Sequence, residues 1–169
     1  VMSSNNTRMT YVFTICEKTG IKLSDGLASG FTFEDIYYND QRVIFDADGI
    51  TAAYSVDREG NRDYSIDGLV KVYCYNGNSV SGVQPDNYTG GVVPNAYTVV
   101  PNWNSSMNMS DLIFSVVEVN YSQEKGVTSL PEVRFHLTNS MTLPGDCLLD
   151  YMTATRYGAG IPAGDIYDE

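Results

Sequence analysis

Two short apolar runs constrain this chain more than any other feature. Residues 69–75 read Leu-Val-Lys-Val-Tyr-Cys-Tyr, and residues 111–121 read Asp-Leu-Ile-Phe-Ser-Val-Val-Glu-Val-Asn-Tyr. Both are rich in β-branched and aromatic side chains, and their length suits a strand better than a helix. The first is almost continuously apolar, as expected of a central strand covered on both faces. The second is the strongest strand candidate in the chain, and its Val116-Val117 doublet reads as a bulge. Strands of this kind must be buried in a sheet, which leaves the other segments to extend that sheet or to cover it.

Several segments extend it. Residues 11–16 and 31–38 read as strands, and Tyr38-Asn39-Asp40-Gln41 reads as the turn of a hairpin that ends at Phe45. Residues 50–56 and the stretch at Tyr64 flank the polar loop 57–61 and resemble another hairpin. Residues 132–137 alternate, with Val133, Phe135 and Leu137 on one face and Arg134 and His136 on the other. Pro131 suits the first residue of that strand. Residues 76–91 are dense in Asn, Gly, Ser and Pro and form a loop longer than most connections, after which 92–100 resume the β pattern. One helix is expected, over about 147–156. Asp146 reads as its N-cap, Leu148, Leu149 and Met152 share a side, Arg156 lies in the last turn and Tyr157-Gly158 supply the stop.

The fold class expected is therefore α+β, predominantly antiparallel β of sandwich or barrel type, with one short C-terminal helix. Residues 1–75 and 111–169 are expected to be β-rich, with 76–110 a long loop or inserted segment, or the whole forms one continuous domain. The polar opening 1–8 carries no apolar run of signal type and begins with Val, so the chain is expected to be a piece of a longer protein.

Charge removes several functional classes. Asp and Glu number 21 against 10 Lys and Arg, a net charge of -11. Phosphate neutralisation needs clustered cations, so no nucleic-acid partner is expected. No stretch approaches the roughly 18 apolar residues of a membrane helix, so no membrane segment is expected. Cys16, Cys74 and Cys147 are odd in number and match no zinc spacing; they read as small apolar residues of a protein made in a reducing cytoplasm, with a Cys16–Cys74 bridge left open. His136 is the single histidine, no nucleophile elbow or phosphate loop occurs, and no catalytic residue, cofactor or metal is assigned. An enzyme is not expected.

Asp46, Asp48, Asp57, Glu59, Asn61, Asp63 and Asp67 offer the oxygen ligands that calcium takes. However, Ile50 stands where a third loop ligand should be and no Glu occupies the twelfth position, so a solvated rim that protects hairpin edges is the better reading. The Asn-x-Ser/Thr triplets that begin at Asn5, Asn87, Asn104, Asn108 and Asn120 read as products of composition.

Three stretches, in order, carry a resemblance to one family. Ile15-Cys16-Glu17 with Gly20-Ile21, Asp25-Gly26 and Ile36-Tyr37-Tyr38-Asn39-Asp40 form the first, and Lys71 to Gly77 with the return strand Val116 to Tyr121 form the second. The third is Leu130-Pro131-Glu132-Val133-Arg134-Phe135, then Leu148-Leu149-Asp150-Tyr151-Met152-Thr153, then Arg156-Tyr157-Gly158-Ala159-Gly160-Ile161. This order resembles the central tail hub or tip attachment proteins of long-tailed bacteriophages, the lambda J-like family. The resemblance implies a structural protein of the tail tip or baseplate hub, with β-rich hub domains that assemble as a trimer around the tail axis. It also implies distal tail and tape-measure proteins as partners, and a place in the virion after assembly in the bacterial cytoplasm. Nothing here matches the family's downstream receptor-binding regions. Arg156, Tyr157, Gly158, Gly160 and Ile161 become candidate assembly residues: glycines permit positive φ and close backbone approach, while Arg and Tyr are frequent interface anchors.

The alternative is a monomeric β-domain that binds carbohydrate or another host-surface ligand through loop aromatics, with Tyr88, Tyr97 and Trp103 as the candidates. A tail-associated hydrolase would need catalytic residues that the sequence lacks.

Overall fold

The computed structural model describes residues 7–18, 30–77, 81–107, 109–130 and 132–166. The turn segment expected at 19–29, Pro131, and the triplets at Asn5 and Asn108 lie wholly or partly outside the described residues. Among the described residues the chain forms eight strands and two α-helices: β1 (Arg8–Glu17), β2 (Phe31–Tyr38), β3 (Gln41–Phe45), β4 (Ala52–Val56), β5 (Arg62–Asp63), β6 (Val70–Tyr75), α1 (Ala96–Val99), β7 (Leu112–Asn120), β8 (Val133–Asn139) and α2 (Pro144–Thr153). All strand pairings are antiparallel. The α+β, predominantly antiparallel β class holds.

The strands form two sheets, one ordered β1-β7-β6 and the other β5-β4-β3-β2-β8. Their facing sides enclose one core. Phe33, Ile36, Val43 and Phe45 of the larger sheet meet Val70, Val72, Ile113, Val117 and Val119 of the smaller. The rings of Phe13 and Phe135 close the β1/β8 end with centroids 6.0 Å apart. Asn39 and Asp40 both take positive φ, 51° and 62°, and make the tight β2–β3 hairpin that their side chains favour.

Sequence order misplaces the most apolar strand. β6 lies at the edge of its sheet and β7 occupies the centre. β6 is nevertheless buried on both faces, by the larger sheet on one side and by Val93, Ala96 and Val100 on the other, and its free edge is covered as well: Val72 donates to Ile50, and Val83 donates to the carbonyl of Cys74. Val116-Val117 makes no bulge. The two valines pair in unbroken register with Val12 and Tyr11 and point to opposite buried faces, whereas the irregularity falls in β1 between Thr14 and Cys16.

The segment 76–110 supplies a third layer. Its residues Val93, Ala96 and Val100 cover Tyr73, Tyr75, Phe114 and Val116 on the outer face of the small sheet, with Tyr75 stacked on Phe114 at 4.5 Å. Residues 92–100, expected as a strand, bridge to Ser81 through Asn95 and then turn into the four-residue helix α1, which lays Ala96 and Val100 over the outer face of the small sheet. On its way there, the segment crosses the larger sheet. The Phe45 amide donates to the Tyr88 hydroxyl at 3.0 Å, and the Asp86 amide donates to the Phe33 carbonyl at 2.6 Å.

Candidate functional site

The C-terminal helix starts earlier than expected. Leu143 is the N-cap, Pro144 opens α2, and Asp146 lies in the first turn. Proline is well suited there because its φ is already helical and the missing amide would have had no partner. Asp146 thus acts within the first turn, where a carboxylate favours the positive end of the helix dipole, and α2 ends at Thr153.

Residues 156–161 close the helix. The amides of Ala159, Gly160 and Ile161 donate to the carbonyls of Tyr151, Ala154 and Met152 at 2.9, 3.1 and 2.8 Å. These bonds satisfy carbonyls that a helix end would otherwise leave to water. Gly158 is required by contact: a Cβ there would overlap the Tyr151 carbonyl oxygen. Gly160 is required by its positive φ of 66°.

Two polar links hold this turn. The Tyr157 hydroxyl donates to Asp150 Oδ2 at 2.7 Å, and Arg156 pairs with Glu17 of β1 at 2.9 Å. Burial, together with the adjacent Asp150 carboxylate, pushes the Tyr157 hydroxyl up to about 12. Glu17, Lys18, Asp150, Arg156 and Tyr157 help to line a cleft of about 480 Å³ between the end of β1 and the helix.

The helix has its polarity reversed. Asp146 and Asp150 are each 8% exposed, whereas Leu148 is 58% and Tyr151 56% exposed, with Leu143 and Tyr157 at 52% beside them. The inward stripe is Asp146, Leu149, Asp150 and Thr153, at i, i+3, i+4 and i+7. Leu148 therefore does not share a buried side with Leu149 and Met152. The spacing of Asp146 and Asp150 was the available sign of that stripe, but hydrophobic patterning alone points the other way.

The loop aromatics are dispersed. Tyr88 is packed edge-on to Phe45 at 5.6 Å, with its hydroxyl bonded to the Phe45 amide. Tyr97 accepts a hydrogen bond from Asn95, and Trp103 packs against the outer core. Tyr88 and Trp103 thus serve different cores. His136 is on the exposed face of β8, as the alternation predicts. Cys16, Cys74 and Cys147 are all free thiols, so no Cys16–Cys74 bridge forms.

The acidic 46–67 region uses carboxylates to organise its own turns. Asp48 accepts from the Ile50 and Thr51 amides and the Thr51 hydroxyl, Asp57 from the Glu59 and Asn61 amides, and Asp63 from the Ser65 amide. Among the described residues, no three His, Cys, Asp or Glu side chains converge as metal ligands. No helix among them is long and apolar enough to cross a membrane. No family model, curated protein or solved structure matches the chain.

Proposed function

We propose that this chain is a structural component of a bacteriophage tail tip or baseplate hub, which assembles as a homotrimer around the tail axis and links the tail tube to the tip. The observation that carries the reading is the outward apolar face of α2, with Leu148 and Tyr151 at its centre. It adjoins the 156–161 motif on which the family resemblance rests most firmly. Clustered exposure of this kind marks a surface that another molecule covers.

The occupant is a second copy of the chain. Copies with a net charge of -11 repel one another, and contact between them requires a face without carboxylates. The inward turn of Asp146 and Asp150 creates such a face. Repetition of the contact around an axis closes a ring. The reading gives the chain no catalytic step, cofactor or metal; its further partners are distal tail and tape-measure proteins, and its place is the virion. Carbohydrate binding through Tyr88, Tyr97 and Trp103 has no comparable observation behind it, because these rings are dispersed and partly buried.

Light scattering over a wide concentration range tests the proposal. The mass is expected to rise from monomer toward trimer, and the double variant Leu148→Asp, Tyr151→Asp is expected to stay monomeric with an unchanged circular dichroism spectrum. A wild-type chain that remains monomeric at the highest concentration, or a variant that assembles equally well, would refute it.

A further inference from the structure

The outer face of the larger sheet carries a second feature, unconnected with α2. Arg134, Tyr37, Arg42, Val56 and Arg62 are directly paired from β8 to β5, which puts all five side chains on one face in a single row. Their neighbours Phe135, Ile36 and Val43 point into the core, so the row faces solvent. At its centre is a cleft of about 560 Å³ lined by Tyr37, Asp40, Arg42, Asp57, Arg58 and Arg134 among others. Three of the chain's 10 Lys and Arg residues thus line one cleft of a strongly acidic protein.

These arginines differ in how firmly they are engaged. Arg134 pairs with Asp40 and Glu132, and its guanidinium lies 5.6 Å above the Tyr37 ring. Arg42 reaches Asp35 only at 3.5 Å between half-exposed groups, a weak pair. Arg58 makes no ion pair or hydrogen bond with any described residue. It sits on a braced loop: Asp57 Oδ1 accepts from the Glu59 and Asn61 amides at 3.0 and 2.8 Å, and Oδ2 accepts from the Asn61 side chain at 2.9 Å. The loop therefore presents a free guanidinium at the cleft on a held backbone, so that binding must order the Arg58 side chain but not the loop.

We infer that this cleft binds an acidic sugar, with the ligand carboxylate on Arg42 and Arg58 and the sugar ring against the side of Tyr37 turned away from Arg134. Guanidinium groups bind carboxylates in a planar, two-point manner. The aspartates select the rest of the ligand. Asp40 at the rim, with Oδ1 on Arg134, keeps Oδ2 to accept hydrogen bonds from sugar hydroxyls, donors that a phosphate chain lacks. A polyphosphate or nucleic-acid backbone is disfavoured for that reason. The site is independent of the assembly face, so either can fail alone.

Calorimetric titration at low ionic strength with trigalacturonate, neutral galactotriose and inorganic phosphate tests the inference. Saturable binding of trigalacturonate is expected, with galactotriose and phosphate both much weaker. Arg58→Ala should weaken it by roughly tenfold or more, as loss of a charge-assisted hydrogen bond would. Arg42→Ala should act similarly, and Arg62→Ala, on the same face but outside the cleft, should leave binding unchanged. Arg58 is exposed and unpaired, so its removal does not threaten folding. Absence of trigalacturonate binding, equal affinity for phosphate, or indifference to Arg58→Ala would each overturn the assignment.

Discussion

A Cβ on Gly158 would overlap the carbonyl oxygen that caps α2, so Gly158→Ala must move either the turn or the helix end. Overpacking of this kind costs about 1–3 kcal/mol. The variant should lower the denaturation midpoint and speed amide exchange at Ala159 and Ile161, whose bonds depend on that turn; unchanged exchange would show that the turn absorbs the methyl. Asp48 gives a pH-dependent case. Burial works to raise its pKa, but the Thr51 and Ile50 amides, the Thr51 hydroxyl and Lys71 outweigh it and hold the carboxyl below the usual range. A depressed folded pKa adds stability above the unfolded value, and this is lost as pH falls through the folded value. Acid unfolding should therefore be steeper below about pH 4 in the wild type than in Asp48→Asn. Equal slopes would mean that Asp48 contributes nothing to the fall. The aspartates of the 46–67 region read from the sequence as a solvated rim; that Asp48, Asp57 and Asp63 bind the amides of their own turns, as Asp in turns favours, came only from the structure.

At the level of elements, strands were more legible than the helix. β3 and β8 follow their alternation closely because each has one face on the core and one in water, whereas β2 breaks its alternation between Phe33 and Ile36, where its register with β8 shifts. The helix was legible as a helix, yet its inward face was not, since Asp146 and Asp150 are buried and Leu148 is not. The same inversion gives a measurable contrast. Phe114, stacked on Tyr75 and 2% exposed, should cost about 3–5 kcal/mol when replaced by Ala. Leu148→Ala, measured in dilute monomer, should change stability by no more than about 0.5 kcal/mol. A large loss at Leu148 would indicate that α2 packs its apolar side inward. The arginine cleft escaped sequence reading for a related reason: Arg42 and Arg134 meet across Tyr37 only through the register of β2 with β3 and β8, and Arg58 joins them from the loop after β4, which pairs with β3.

For the whole molecule, the small sheet is shared by two cores, one against the larger sheet and one beneath the 76–110 layer. β6 and β7 contribute to both, so loss of either core exposes the same strands. Unfolding should therefore be a single transition. Trp103 lies against the outer core and reports that layer by fluorescence, whereas far-ultraviolet circular dichroism reports the sheets. The two melting curves should coincide. An earlier fluorescence transition would mean that the 76–110 layer melts separately.

The sequence by itself determined the class of the fold, most strand positions, the β2–β3 hairpin and the presence of one C-terminal helix. These depend on local pattern: period-two alternation, turn residues with positive φ, and β-branched runs. Only the tertiary structure decided that β7 is central and β6 an edge, that residues 76–110 form a layer, that α2 turns its carboxylates inward, and that three arginines share a cleft. Each of these depends on which distant segment covers which face. Local propensity carries no information about that choice, because a buried face reads the same whatever buries it.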